Sequence, residues 1–458
     1  MTIQIDTDSL ARLRDSVAGT VFVRGDAGLA AEVAGFNTAI VHDPDVVVAV
    51  TSENDVSAAV QFAADNDLRV RVQATGHGGG LPITDGVLIS TRALDDISID
   101  PETRLATIGA GVRWAPVVEA GAEFGLTPIT GSSPHVGAIG YTLGGGLGPL
   151  SRSHGFTSDW VRGFRVVTAD GEVLTANDRT HSDLFWALRG GKGGLGVVTS
   201  MTIELVPMRT LYAGSLIFEG VEIEPALRTW VEWAQSAPES VTSSFAFINV
   251  PDVEFAPPPL RGKFVLSIRF AFPGDPAEGA RLAAPLREAA GVSLDLLGEI
   301  PTTAVGTIHN DPVEGGPDWI RGLMFDSIDQ DLADDLLRLA GPGSGTPFVA
   351  VEVRQLGGAT HRDAKDGTAV GGRDARFTMG VIALDPSTFA ERAPERAAAI
   401  FDAVGGRRSE ITNVNWSRGL IDAAEFTTTW PPAVFDRLAV ARAKYDPSGV
   451  FAFGPAVE

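Results

Sequence analysis

One histidine set among four glycines, in Gln73-Ala74-Thr75-Gly76-His77-Gly78-Gly79-Gly80, concentrates more chemistry than any other stretch of the chain. Glycines let a backbone approach a bulky ligand closely, and their amides can gather around a pyrophosphate. A histidine in such a loop is held within bonding distance of whatever the backbone cradles, and a neutral imidazole nitrogen is a usable nucleophile near neutral pH. A second loop, Gly131-Ser132-Ser133-Pro134-His135-Val136-Gly137, runs on into Gly140-Tyr141-Thr142-Leu143-Gly144-Gly145-Gly146-Leu147-Gly148. Together the two loops read as a large cofactor site.

A third candidate lies far downstream. Phe348 to Leu356 reads as a strand whose alternation puts Glu352 and Arg354 on one face and Val351 and Val353 on the other. A buried carboxylate beside an apolar cofactor can have its pKa raised toward neutrality, which suits general base work. The same residue types equally make an ion pair between Glu352 and Arg354 or another arginine. His309 reads as a loop histidine, and Asn413 in Asn413-Val414-Asn415-Trp416 is neutral and cannot usefully take a proton.

Regular elements must position these groups. Val46 to Val50 is a buried-strand run, Ser52 can cap a helix bearing Val56, Ala59, Val60 and Ala63, and Leu68 to Ala74 then forms a strand that ends in the first glycine loop. The loop is not the dinucleotide-binding fingerprint, because Leu81-Pro82-Ile83 follows it and no helix begins there. Trp114 to Phe124 is helical with Gly125 as its stop, and Ser182-Asp183 opens a short helix closed by Gly190-Gly191. Residues 196–206 form a strand, and from about 209 strands mix with longer helices such as Glu224 to Gln235 and Pro276 to Ala290.

Composition removes several function classes. A chain of 458 residues exceeds the usual single-core limit, so two interlocked domains are expected. A formal charge of −22 repels nucleic acid and anionic membrane surfaces. Without any cysteine there is no disulfide or thiolate chemistry, and the seven histidines form no short metal pattern, so no metal site is expected. No apolar run approaches about 18 residues and the N-terminus has no signal-like pattern, so a cytoplasmic protein without a membrane partner is the expectation. Gly190-Gly191-Lys192-Gly193 lacks the Ser or Thr of a phosphate loop.

The ordered set ATGHGGG, GSSPHVGAIGYTLGGGLGPLSRSHG, DLFWALRGGKGGLGVVT and KYDPSGVF resembles the berberine bridge enzyme-like FAD-linked oxidases of the vanillyl-alcohol oxidase and p-cresol methylhydroxylase superfamily. The resemblance runs from about residue 36 to the C-terminus. It implies an α+β fold: a two-part FAD-binding domain of the p-cresol methylhydroxylase type, residues 1–208 with a returning C-terminal segment 413–458, and an inserted sheet-and-helix substrate domain, 209–412. It implies FAD attached covalently through His77. Cofactor contacts would come from Gln73, Ala74, Thr75, Gly76, His77, Gly78 and Gly79, from Gly131, Ser132, Ser133, His135, Val136, Gly137, Gly140 and Gly146, and from Gly196, Val198 and Tyr445. Glu352 and Tyr141 would carry catalysis.

Departures from the family pattern sharpen this. Ser133 stands where many members have a cysteine that binds the flavin a second time, so a single covalent link is expected. Gly194-Leu195-Gly196 replaces the usual asparagine-phenylalanine-glycine. Asn413 stands where the family often has a tyrosine base, so the chain must recruit another base, Glu352 first with Tyr141 or His309 next, or take hydride from a substrate that ionises easily. Val136 falls near the oxygen-reactive flavin face, where a small residue accompanies oxidase behaviour, although valine there also simply fills core space. Tyr445, in Lys444-Tyr445-Asp446-Pro447, suits docking of the tail as well as cofactor contact. The implied activity is hydride removal from a small alcohol, sugar or secondary metabolite, with O2 reduced to H2O2. A flavin-dependent oxygenase acting on a polyketide-like or aromatic metabolite is the alternative, and a catalytically silent flavin-binding module is a third.

Overall fold

The computed structural model describes residues 6–254, 257–416, 423–451 and Phe453. Residues 1–5, 255–256, 417–422, 452 and 454–458 lie outside the described residues.

The chain is α+β and is built on three main sheets. In the first, the strand order is Thr20–Val23, Val46–Ala49, Val87–Ser90, Val70–Gln73. The last three strands are mutually parallel, and Thr20–Val23 closes the edge antiparallel. Helix Glu53–Asp65 connects Val46–Ala49 to Val70–Gln73. Ser52 caps it by accepting from the Asp55 amide, and Val56, Ala59, Val60 and Ala63 are buried at helical spacing. Val46 to Val48 are fully buried, as a strand covered on both faces requires.

The second sheet is antiparallel, ordered Ile97–Asp100, Leu105–Gly109, Val197–Glu204, Val161–Val167, Val173–Ala176. Helices Trp114–Glu123 and Ser182–Leu188 contribute Trp114, Leu184, Phe185 and Trp186 to its core. The C-terminal helix Pro432–Tyr445 returns to this core with Leu438, Ala441 and Tyr445. Beyond it the Val70 amide donates to the Val450 carbonyl at 2.7 Å. The segment that follows this helix therefore docks, at Val450, on the strand that leads into the first glycine loop.

The third sheet is wholly antiparallel and takes its strands from Thr210–Glu219 to Phe377–Ala383. Its centre is Phe264–Phe272, Thr242–Asn249 and Ala350–Gln355, side by side. Because side chains alternate along a strand, one face carries Phe245, Phe247, Leu266, Ile268, Val351 and Val353 into a core. That core is capped by the helices Ile223–Ala234, Gln330–Ala340 and Arg392–Val404. The opposite face of the same strands carries Ser244, Arg269, Glu352 and Arg354, and the register sets Ser244 directly between Arg269 and Arg354.

Arg152 fastens the glycine-loop side of the molecule to this sheet. Its guanidinium is buried and donates to the carbonyls of Val241, Ala237, Pro238 and Leu356, while its amide donates to Thr242 Oγ1 at 3.1 Å. Burial brings its pKa down to about 10, so it stays charged at neutral pH.

Asp55 plays the corresponding part at the N-terminal edge. Its carboxylate accepts from the amides of Ala18, Gly19 and Thr51 and from the Thr51 hydroxyl, at 2.8–3.1 Å. Burial opposes its charge, but these hydrogen bonds outweigh that and hold its pKa below the usual aspartate value. Its stabilisation is therefore complete above the unfolded aspartate pKa and is lost as pH falls through the lower folded value. Asp55→Ala should lower the first urea transition at pH 7 by about 1.5–3 kcal/mol, and the gap from wild type should close in acid. Equal midpoints at pH 7 would contradict this.

Candidate active site

Strand Val70–Gln73 delivers the first loop, and Gln73 anchors it by donating from Nε2 to the Val33 carbonyl at 2.9 Å. Gly76 has φ +72°, and a Cβ there would lie 2.4 Å from Gly35 Cα, so no other residue fits. His77 is buried, with its ring stacked on Phe36 at 3.8 Å and its Nδ1 3.0 Å from Thr75 Oγ1. The same Thr75 oxygen accepts from the Gly137 amide at 3.3 Å, so one threonine joins both glycine loops and fixes the imidazole between them.

The glycines divide by role. At Gly146 a Cβ would meet the Tyr141 ring at 2.5 Å, and at Gly148 it would meet the Thr130 carbonyl at 1.8 Å, so these positions let the chain pack on itself. At Gly78, in the first loop, and at Gly140, in the short helix Ala138–Thr142 that follows the second, a Cβ would meet no atom within 4 Å, so bare backbone borders open space at both. In the second loop, Ser133 Oγ is buried and makes no hydrogen bond among the described residues. Bare backbone at these two points, a buried hydroxyl awaiting a partner and an oriented imidazole fit a large cofactor carrying phosphates and polar ring atoms. His135 and Val136 are half-buried in this loop, and Val136 packs against the core of the second sheet.

Three other expected contacts have different surroundings. Val198 is buried in the second sheet's core, and a Cβ at Gly196 (φ +129°) would meet Val166 at 2.6 Å, so both serve the pairing of neighbouring strands. Tyr445 donates its hydroxyl to Asp183 Oδ1 at 2.8 Å and packs in that core, which is a docking role for its side chain.

Tyr141 lies in the short helix Ala138–Thr142 that follows the second glycine loop, edge-on to Trp114 at 6.2 Å. Burial pushes its phenol well above the usual tyrosine value, so it stays protonated at neutral pH. Asn413 is buried and structural. Its Nδ2 donates to the carbonyls of Gly144 and Gly371, and its Oδ1 accepts from the Asn415 amide. Asn415 in turn donates to the Tyr141 carbonyl at 2.8 Å and accepts from Lys192 Nζ at 2.9 Å. The two asparagines thereby clamp the returning segment onto the glycine loop.

Glu352 stands at the centre of a buried ionic cluster. Arg269 Nη1 donates to its Oε1 at 2.5 Å and Arg354 donates to its Oε2 at 2.7 Å, while His309 Nε2 lies 3.4 Å from Oε1. Arg354 also reaches Ser132 Oγ at 3.4 Å and lies over the Trp416 ring at 4.9 Å, and Ser132 donates to Asp311 at 2.8 Å. The cluster therefore touches the second glycine loop. The expectation that burial lifts the Glu352 pKa toward neutrality is corrected here: burial does raise it, but Arg354 and Arg269 outweigh that and hold the carboxyl well below its usual range. A carboxylate so stabilised is a weak proton acceptor.

Arg269 and Asp311 were not singled out as site residues from the sequence, and His309 was only a lesser candidate there. Arg269 left a signal: it is the only charge in the otherwise apolar run Phe264–Phe272, and a buried charge demands a partner. Asp311 left none.

Among the described residues no group of acidic or histidine side chains is placed to hold a metal ion, and no helix is long and apolar enough to cross a membrane.

Residues 44–177 match the family described as FAD binding domain. A relative, the uncharacterized FAD-linked oxidoreductase YgaK of Bacillus subtilis, is 26% identical over 96% of this chain and 97% of its own length. The (R)-6-hydroxynicotine oxidase of Paenarthrobacter nicotinovorans is 35% identical over 43% of this chain and 44% of its own length. Among solved structures, glucooligosaccharide oxidase from Acremonium strictum, which carries a 6-S-cysteinyl, 8α-N1-histidyl FAD, superposes with a TM-score of 0.80 at 19% identity, covering 96% of this chain and 97% of that one. Glycine loops that fit FAD, the matching FAD-binding domain and a relative similar along nearly its whole length converge on one assignment: the chain is a FAD-linked oxidoreductase.

Proposed function

We propose that the protein is an FAD-dependent oxidase of small organic substrates, with FAD bound covalently through His77 alone and O2 as the electron acceptor. Residues 1–208 and 413–458 would form the FAD-binding domain, and 209–412 the substrate domain. The observation that carries the reading is the juxtaposition, through Ser132 and Arg354, of a glycine-loop cofactor site with the polar face of the third sheet. Bound FAD supplies a two-electron acceptor that takes a hydride from the substrate and passes the electrons to O2 as H2O2.

The chain's own groups do the rest. Thr75 and Phe36 fix the His77 ring for attachment at the flavin 8α carbon. Ser133, in place of a second linking thiol, can only hydrogen-bond. Tyr141 keeps its proton, so it can serve as a buried donor but not as a base. Leu147, Phe270, Ile308 and Leu356 help wall a small cavity whose polar lining includes Ser244, Arg269, His309 and Arg354. Such a lining suits a compact substrate with an apolar body and one polar end: a small alcohol, sugar or secondary metabolite.

Acid-precipitated protein should stay yellow and carry one flavin mass on the tryptic peptide containing His77. His77→Ala should release its FAD on precipitation. Free FAD from the wild-type protein would overturn the covalent assignment.

Enzyme reduced anaerobically and then mixed with air should yield one peroxide per flavin, and Val136→Leu should slow that step while sparing reduction. Incorporation of label from 18O2 into the product would instead establish an oxygenase, and reoxidation slower than turnover with an artificial acceptor a dehydrogenase.

A further inference from the structure

His309 follows the turn Thr302–Ile308 and is enclosed by the third sheet and the second glycine loop. Its side chain is 4% exposed. Its Nε2 lies 3.4 Å from Glu352 Oε1, its nearest charged partner, and neither ring nitrogen completes a hydrogen bond among the described residues. It lines the same cavity as Leu147, Gly148, Ser244, Arg269 and Arg354. A buried ring nitrogen without a partner costs free energy. It is tolerated where a ligand completes it.

We propose that His309, oriented by Glu352, is the group that takes the proton from the reacting hydroxyl or amine of the substrate; this rests on the FAD-dependent dehydrogenation proposed above. With Nε2–H directed at the Glu352 carboxylate, the lone pair of Nδ1 is left for the substrate. The substrate O–H or N–H bond breaks, its proton goes to Nδ1, and its electron pair becomes the second bond of C=O or C=N. The adjacent C–H bond breaks with both electrons, and this hydride reduces the bound FAD. The substrate is thus oxidised by two electrons, losing one hydride and one proton. Glu352 compensates the imidazolium that results.

The surroundings favour this residue over its neighbours. Arg269 faces it from strand Phe264–Phe272, Glu352 and Arg354 face it from Ala350–Gln355, and Asp311 follows on its own loop. Burial, then Arg354 and Arg269, push the His309 pKa below its usual value, while Glu352 pulls it up. The ring is therefore neutral and able to accept a proton at pH 7. Glu352 is held ionised by its arginines, Tyr141 keeps its proton, and Asn413 is a neutral clamp.

Two measurements test the assignment. In the holoenzyme labelled with 15N-histidine, His309, assigned by loss of its signal in His309→Gln, should be the neutral Nε2–H tautomer at pH 7. Its apparent pKa should lie below 6.5 and fall further in Glu352→Gln, which removes the group that raises it. An imidazolium or an Nδ1–H tautomer at pH 7 would overturn the proposal.

The second measurement is anaerobic flavin reduction, using whichever of benzyl alcohol, D-glucose or 6-hydroxynicotine bleaches the wild-type protein. The rate should rise with pH through a single ionisation below that of free histidine. His309→Gln should retain FAD, lose about 10²–10⁴-fold in rate and lose this limb, and added imidazole should restore His309→Ala. Glu352→Gln should move the limb to lower pH rather than abolish it. A flavin-loaded His309→Gln that reduces at the wild-type rate with its limb intact would overturn the proposal. A wild-type flavin that no probe reduces counts against the oxidase reading, and the tautomer measurement still decides the role of His309.

Discussion

The pairing of Glu352 with two arginines is the constraint around which the site is organised. Removing three charges from water is expensive, and a buried carboxylate between guanidiniums survives only with close, well-directed hydrogen bonds. Arg269 and Arg354 provide them from separate strands, and both arginines flank Ser244 in register. A one-residue slip of Ala350–Gln355 would turn Glu352 and Arg354 into the helix-covered core and expose Val351 and Val353. The register that builds the core and the register that builds the active-site face are therefore the same register.

From this cluster the order extends outward. Arg354 reaches Ser132, Ser132 holds Asp311, and the segment that follows is pinned by paired hydrogen bonds between Asn37 and Asp318. Phe36, next to Asn37, stacks on His77. The histidine proposed to hold FAD and the carboxylate beneath the proposed substrate cavity are thus connected through polar and stacked contacts joined by the chain segments 311–318 and 36–37. Arg152 and the Asn413–Asn415 clamp close the same junction from other sides.

Local features were legible in the sequence. Ser52 as a cap, Gly125 as a helix stop and the alternation that puts Glu352 and Arg354 on one face all follow from periodicity and backbone preference, and each is present in the structure. The ordered glycine motifs pointed to the FAD-linked oxidase superfamily. The electrostatics of Glu352 were not legible, because they depend on Arg269, 83 residues earlier in the chain. An ion pair with Arg354 or another arginine was one of the two readings open for Glu352, and the structure shows both arginines taken together. Asn413 was recognised as unable to accept a proton, but its clamping of Gly144 depends on a contact across 269 residues. His309 was open from the sequence only as a lesser candidate, since nothing nearby in sequence marks a loop histidine as buried against a carboxylate.

The central claim is that the Arg269–Glu352–Arg354 cluster lies against the flavin, and the midpoint potential of bound FAD tests it most directly. Taking away a buried negative charge beside the ring, and leaving two arginines uncompensated, favours the electron-rich reduced flavin. Redox titration of Glu352→Gln should therefore give a midpoint potential more positive than wild type, with FAD still bound. An unchanged or more negative potential in the flavin-loaded variant would contradict the placement of the cluster at the cofactor.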